Sequence, residues 1–541
     1  MRSTARRVAV ILAAPALTIS ALAATSSPAS AAADPAPAAA STTWLTAQLT
    51  DGLIHNDQYE FDDLGLSADV AFGLAAVGQD DTVHDIVSAI EPRAQAEWYT
   101  STYLGVTTTY AGSLAKAAAL AETAGDDPTQ FGGQDLIALL EDTVSATPPT
   151  TGRVQDENND FSDTNTLGQA YAVEALAGAG SASALPVTTF LLQQQCADGW
   201  FRLDFAARDA ADQTCDGDPA SVPDTDATAV ALMAMVSLHN DALVPAIDKA
   251  EAWLLSTQKS SGAWGGGPTT EAANTNSTGL AGWALGELGG DDDAVANAAA
   301  WVRAHQATNV ANCVYYDSAD LGTIAYDNAA LKALQGTPID PTTQDQFRRA
   351  AAQALPVLQW APAGSGDPQV LFTAEYVKAG HRLPVGVVQA APGEALCAML
   401  GEQSVIGYAD ADGEAHLPVL ISDKTKTSNV KVANAGGTFG TAQINALGAK
   451  TLPVKIKDTV AVGQKQVVKV TGLAPGETVT ISVAWPDRPG DSAGTGLFGQ
   501  ANGKGVFTSS VKVPNRPGKA TVKVKGQFAN RKASKSFTVT R

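Results

Sequence analysis

A chain of 541 residues is too long for one small core, and 45% hydrophobic side chains are enough to fill two to four domains. No internal run has the length and apolarity of a membrane span. The formal charge of −21 is unevenly spread: residues 453–541 hold 15 Lys and Arg against 4 Asp and Glu, so an acidic body is joined to a basic tail, which bears on partners and not on fold.

Residues 1–31 read as a secretory signal. Arg2, Arg6 and Arg7 form its positive start, Val8–Ala24 its apolar stretch, and Ala29-Ser30-Ala31 a cleavage site. The Arg6-Arg7 pair leaves general and twin-arginine export both open. The expected address is secreted or extracellular, with cell-wall association, and no membrane anchor. Residues 32–40 are an Ala/Pro linker. An exported chain permits disulfides. Cys196 and Cys215 bracket one loop, which favours pairing them and leaves Cys313 for Cys397; four cysteines allow three connectivities.

From residue 41 to 384 one pattern recurs. Ser41–Ile54 opens it as a helix, with Trp44, Leu45, Leu49 and Leu53 near helical spacing. A polar turn followed by a small-residue helix then appears at Phe61–Gly78, Tyr110–Gly125, Ser162–Gly180, Pro223–Leu238, Asn274–Gly290 and Asp320–Gly336. With Ser67, Ser113, Thr166, Thr228, Thr278 and Thr323 as markers, the spacings are 46, 53, 62, 50 and 45, a helical-hairpin period. Asp, Asn, Ser or Thr opens most copies because a side-chain oxygen there accepts an orphan N–H of the first turn. The Tyr110 copy lacks such a residue. Between the copies lie more polar amphipathic segments at Val83–Trp98, Ala184–Gln195, Leu243–Gln258, Ala294–Gln306 and Gln344–Trp360. Apolar copies inside and polar segments outside fit an open solenoid or a closed α6/α6 toroid, and six copies without obvious terminal caps favour the toroid.

After Pro384 the period changes to two. Strands are expected at Gln466–Thr471, Thr478–Val483, Lys504–Val513, Lys519–Val524 and Ser536–Thr540. Ala391-Pro392-Gly393-Glu394 echoes Ala474-Pro475-Gly476-Glu477, and Gly407–Ile421 echoes Gly499–Val513. Two tandem immunoglobulin-like β-sandwiches follow, at 385–452 and 453–541. The fold class is therefore multidomain α + β, a toroid followed by two sandwiches.

Gln258-x-x-x-Gly262-x-Trp264 resembles the Q-x-x-x-G-x-W repeat of the prenyltransferase and squalene/terpene cyclase superfamily, and Gln195-Cys196-Ala197-Asp198-Gly199-Trp200-Phe201 is a near match. The resemblance covers roughly 42–384 and implies the α6/α6 toroid. The toroid with a C-terminal β region is also similar to cobalamin carriers of the intrinsic factor type. Asp224-Thr225-Asp226-Ala227-Thr228-Ala229 resembles the D-x-D-D-T-A motif of class II terpene cyclases, with Ala227 in place of the third aspartate. That resemblance implies that Asp226 would be the alkene-protonating acid, with Asp224 beside it. The bland reading is a helix cap like those of the other copies.

Other candidates are weaker. The six histidines are scattered, so no zinc site, and no cofactor of any kind, is expected. Asp156-x-Asn158-x-Asp160 starts like a calcium loop, but Phe161 and Leu167 stand where glycine and the bidentate Glu belong. Asp63, Asp163, Asp226 and Asn276 are the candidate ligand-binding residues at the toroid mouth. His55-Asn56 with Tyr59 is the one hint of a polysaccharide lyase. Lys519, Lys523, Lys525, Arg531, Lys532 and Lys535 lie close together and suit an anionic cell-envelope polymer; nucleic acid is not expected without interleaved aromatics. The leading expectation is a secreted, non-catalytic binding protein. The alternatives are a carrier of a small hydrophobic or cobalamin-like ligand, and a degenerate cyclase-like or glycan-active enzyme.

Overall fold

Thirteen helices are found among the described residues of the computed structural model, which are 32–159, 164–311, 313–372, 376–486 and 496–541. The signal segment, Asp160 and Asp163 lie outside them. The first six helices are α1 (Ala36–Thr46), α2 (Leu64–Ala76), α3 (Asp80–Ile90), α4 (Ala111–Thr123), α5 (Leu136–Asp142) and α6 (Thr166–Gly178). Then follow α7 (Ala184–Gln193), α8 (Thr225–Ser237), α9 (Val244–Thr257), α10 (Thr275–Leu288), α11 (Asp292–Arg303), α12 (Asn328–Ala333) and α13 (Gln344–Ala354). None is long and apolar enough to cross a membrane.

Six of them close a ring. Helices α2, α4, α6, α8, α10 and α13 each pack on the next, and α13 returns to α2. Outside them stand α3, α5, α7, α9 and α11, each against the inner helix that precedes it, with α1 against α13. The first helix thus completes the outer layer beside the last inner one.

Two expectations about this ring are corrected. The Asp320–Gly336 copy yields only the six-residue α12, and the sixth inner place belongs to α13, which its Arg and Gln content had assigned to the outer layer. Close approach explains the exchange: a Cβ on Gly73 of α2 or Gly279 of α10 would collide with the backbone of α13 at Ala352 and Ala354. Its one buried cation, Arg348, is satisfied by Asp345 and the carbonyl of His55. The opening helix is also shorter than Ser41–Ile54. It starts inside the Ala/Pro stretch and ends at Thr46, where the Asp51-Gly52 turn folds residues 49–56 into two short strands.

The caps form as expected. Asp63, Asn165, Asp224 and Asn274 each accept a first-turn N–H of their helix, at 2.8–3.3 Å. At Tyr110 the missing cap is supplied from a loop, by Asp156 Oδ1 to the Ala111 N–H at 2.8 Å. Four residues after the cap a hydroxyl works twice. Ser67, Thr228 and Thr278 donate to the cap carbonyl and accept from the N–H of Ile54, Phe201 and Trp264 in the incoming turn. In α6 that position is Gln169, which accepts from the Val154 N–H at 3.0 Å, so Gln169 and not Thr166 is the third marker.

The glutamines of the repeat motif tie one outer helix to the next. Gln195 and Gln258 donate to the carbonyls of Gly199 and Gly262, and onward to Ala246 of α9 and Ala294 of α11. Gly199 and Gly262 sit at φ 103° and 89° against backbone carbonyls of those helices, where no side chain fits. Gln306 repeats the hook onto Pro37 of α1 at 2.8 Å, which closes the outer ring.

Two β units follow, each of two sheets around one core. In the first, strands run in the order 403–408, 395–400, 426–434, 437–447, 376–378 and, in the other sheet, 415–420, 382–388, 369–372. Leu383, Val385, Leu396, Leu417, Val430 and Ile444 fill the space between them. Strand Gln369–Phe372 pairs with Arg382–Val388, so this unit takes in residues ahead of 385. In the second unit a six-stranded sheet of 450–451, 459–461, 478–484, 497–500, 518–525 and 531–540 faces a three-stranded one of 454–455, 465–470 and 507–512. The echo between the units is structural: Glu394 and Glu477 each accept the N–H three residues back, at Ala391 and Ala474, and their backbone carbonyls accept from the N–H of Ala409 and Ala501. Disulfides join Cys196 to Cys215 and Cys313 to Cys397, the second linking the helical ring to the first β unit.

Candidate functional site

The inner helices leave a pocket of about 480 Å³ on the ring axis. Its lining follows a register. Counted from each cap, position six supplies Asp69, Lys116, Tyr171, Val230 and Leu280, and all five line it. Position two adds Leu167 and Asp226, and position nine adds Phe72 and Trp283. Offsets of two, six and nine form one helical stripe, so the ring turns one stripe of these five inner helices toward the axis, and α13 adds Ala352 and Gln353. Trp98 and Tyr110 complete the wall from the turn before α4.

Phe72 stacks on Tyr171 with centroids 5.5 Å apart. Lys116 Nζ reaches Asp69 Oδ1 at 2.5 Å and the Gly65 carbonyl at 2.9 Å. Burial, then the charges of Asp69 and Glu174, pushes the Tyr171 hydroxyl well above its ordinary value. The wall therefore mixes ring faces, one ion pair and amide or hydroxyl groups.

Asp224 and Asp226 separate into two roles. Asp224 is the α8 cap, its Oδ1 held by the Ala227 N–H. Asp226 does no capping. It enters the pocket, its Oδ1 is buried without a hydrogen-bond partner, and burial pushes its carboxyl up to about 6, against a lowering contact from Ser277.

The other mouth candidates divide. Asn276 Nδ2 donates to Gln353 Oε1 at 2.6 Å, and Gln353 lines the pocket. Asp63 is a cap whose second oxygen pairs with Arg349 at 3.0 Å, outside the lining. Asp163 lies outside the described residues. His55 is bound to Asp62 at 2.8 Å and Asn56 to Asp345 at 2.5 Å, neither in the lining, so the lyase hint finds no site in the pocket. Asp156 and Asn158 are occupied in capping and in a bond to the Thr107 carbonyl. No group of three His, Cys, Asp or Glu side chains able to hold a metal occurs among the described residues.

Two features escaped the sequence reading. The aromatic wall did, although counting from the caps would have found Phe72, Tyr171 and Trp283. So did a pair of acids further along the axial stripe. Burial lifts Glu122 to about 7, and burial with the nearby Glu122 lifts Glu174 to about 8. A separate cleft of about 720 Å³ lies between the α10–α11 turn, Trp360 and the Ala390–Pro392 and Asp412-Gly413 turns of the first β unit.

Among solved structures, the type II terpene cyclase MstE from Scytonema matches with a TM-score of 0.40 at 14% identity, over 60% of this chain and 97% of that one. The ent-copalyl diphosphate synthase from Streptomyces platensis matches with 0.34 at 19%, over 54% and 50%. A UGL complex with dGlcA-Glc-Rha-Glc matches with 0.42 at 10%, over 60% and 96%. At these scores the likeness says nothing of activity, and the ring stands on the helix packing described above. No family model and no curated protein matches the chain.

Proposed function

We propose that this chain is an extracellular binding protein whose axial pocket takes a small hydroxylated, sugar-like ligand, with the two β units read as immunoglobulin-like sandwiches. The observation that carries the reading is the composition of the wall: stacked Phe72 and Tyr171 with Trp283, beside the Asp69–Lys116 pair and Gln353. Ring faces cover the C–H face of a pyranose, and carboxylate, ammonium and amide groups satisfy its hydroxyls. The same ring faces would also attract a cation, so the preference for a hydroxylated ligand rests on the ion pair and amide beside them. Calorimetry of the secreted chain against neutral oligosaccharides tests this. Trp283→Ala should weaken binding by about tenfold; binding that ignores Trp283 removes the pocket from consideration.

A second reading rests on Asp226. A carboxyl that stays protonated to about 6, with a buried oxygen lacking a hydrogen-bond partner in an aromatic-lined pocket, has the properties of a general acid. Incubation with isoprenoid and unsaturated glycan substrates, compared with Asp226→Asn, distinguishes the two. Turnover lost in the variant supports an enzyme; binding kept by the variant, without turnover in either, supports the binding protein.

A further inference from the structure

The second β unit carries its lysines in opposed pairs. Register sets Lys525 opposite Lys532 on the six-stranded sheet. On the three-stranded sheet it sets Lys465 opposite Lys512 and Lys455 opposite Lys469. All six are exposed. On the larger sheet one cross-strand row runs Lys532, Lys525, Thr480, Phe498, and Phe498 is 73% exposed. Lys519 and Lys523 share that outward face with Ser482, Thr521 and Ser534.

No described carboxylate answers these charges. From residue 450 on, the described acids are Asp458 and Glu477. Glu477 is fully buried in a two-pronged pair with Arg531, at 2.6 and 2.8 Å, so Arg531 leaves the exposed basic set that the sequence suggested. Asp458 lies 3.9 Å from Lys535. Like charges directly opposite on adjacent strands repel, and here the arrangement occurs three times.

We infer that the second β unit binds a linear polyol phosphodiester, a polymer of small polyhydroxylated units joined by phosphates and without bases, laid across its strands, with the opposed lysines neutralised by successive phosphates. Opposed lysines are about 5 Å apart at the backbone, and outward neighbours along a strand about 7 Å, so a chain charged at such intervals meets one ammonium after another. All the opposed residues are Lys, whose compact point charge suits phosphate, whereas Arg is the usual two-pronged grip on carboxylates. The acidic body repels such a polymer, which confines contact to this unit. The face of Phe498 covers part of the polymer's carbon backbone. A second copy's acidic ring is the competing occupant, but the opposed pairs lie on the outward sides of both sheets, and one copy covers one side. This inference is independent of the axial pocket.

The test is fluorescence anisotropy of the full secreted chain with end-labelled synthetic poly(glycerol phosphate), at about 50 mM and about 200 mM salt. Polygalacturonate and a single-stranded oligonucleotide serve as comparisons. The expected result is salt-sensitive binding that prefers poly(glycerol phosphate) and falls by on the order of tenfold in Lys525→Gln/Lys532→Gln. That variant removes a repulsion, so its melting temperature should not fall. Absence of binding at the lower salt, binding unchanged in a variant lacking both the Lys525–Lys532 and Lys465–Lys512 pairs, preference for either comparison polymer, or salt-sensitive self-association in its place would each overturn the inference.

Discussion

Asp224 and Asp226 stand two residues apart, one on the first turn's N–H groups and one on the pocket. Their removal should be felt differently. Asp224→Ala loses a buried cap and should cost about 1 kcal/mol in denaturant titration. Asp226 acts in the opposite sense. Its folded carboxyl titrates near 6, above the ordinary unfolded value, so the folded state is penalised once the group must ionise. The parent's stability carries no penalty from this group below about pH 4, falls as pH rises toward 6, and is constant above. Asp226→Asn should therefore be more stable than the parent at pH 7.5, by on the order of 2 kcal/mol, and equal to it near pH 4. Urea titrations at the two values check this; a variant no more stable at pH 7.5 would mean that the carboxyl is not desolvated.

Helices α2, α8 and α10 are each locked to the incoming turn by the hydroxyl four residues after the cap. Thr278→Val keeps the shape but leaves the buried Trp264 N–H without an acceptor, which should cost about 1–3 kcal/mol. Thermal melts of Thr278→Val and Thr278→Ser separate the bond from the volume, since serine should recover most of the loss. Between α4 and α6 the acids Glu122 and Glu174 are held protonated up to about 7 and 8. Both values are raised, so stability should fall as pH climbs from about 4.5 to 8, and Glu174→Gln should flatten that slope in melts across the range. These locks are local and were legible. The cap residues, the Q-x-x-x-G-x-W motif and the Ala391/Ala474 echo are short spacings, each with at least one bond inside its own turn. The α12–α13 exchange was not legible, because an Ala stripe interrupted by Arg348 and Gln353 reads as a surface helix until its neighbours are known.

Across the molecule the ring and the first β unit share more than a chain. Cys397, Met399 and Ala433 belong to the helical core, and Gly393 abuts the Ala300 carbonyl at the end of α11. The Cys313–Cys397 link adds a covalent tie to packing that already exists. Cys313→Ser/Cys397→Ser should therefore leave the ring's hydrogen exchange unchanged while strand Ala395–Leu400 loses protection; unchanged exchange in that strand would show that packing alone holds the two together.

Sequence alone determined the repeat, most of its caps, five of the six inner helices, the change to a β region and the favoured cysteine pairing. Each rests on periodicity or on contacts a few residues long, which a linear pattern records. Which helix fills the sixth inner place, which of two neighbouring aspartates meets the pocket, and which basic residue is buried on a carboxylate were decided by the tertiary structure. Those outcomes depend on residues far apart in the chain: Ala352 on Gly73, Asp226 among Phe72, Tyr171 and Trp283, and Glu477 on Arg531. Only closure of the ring and pairing of the strands brings them within contact distance, where desolvation and steric fit can act.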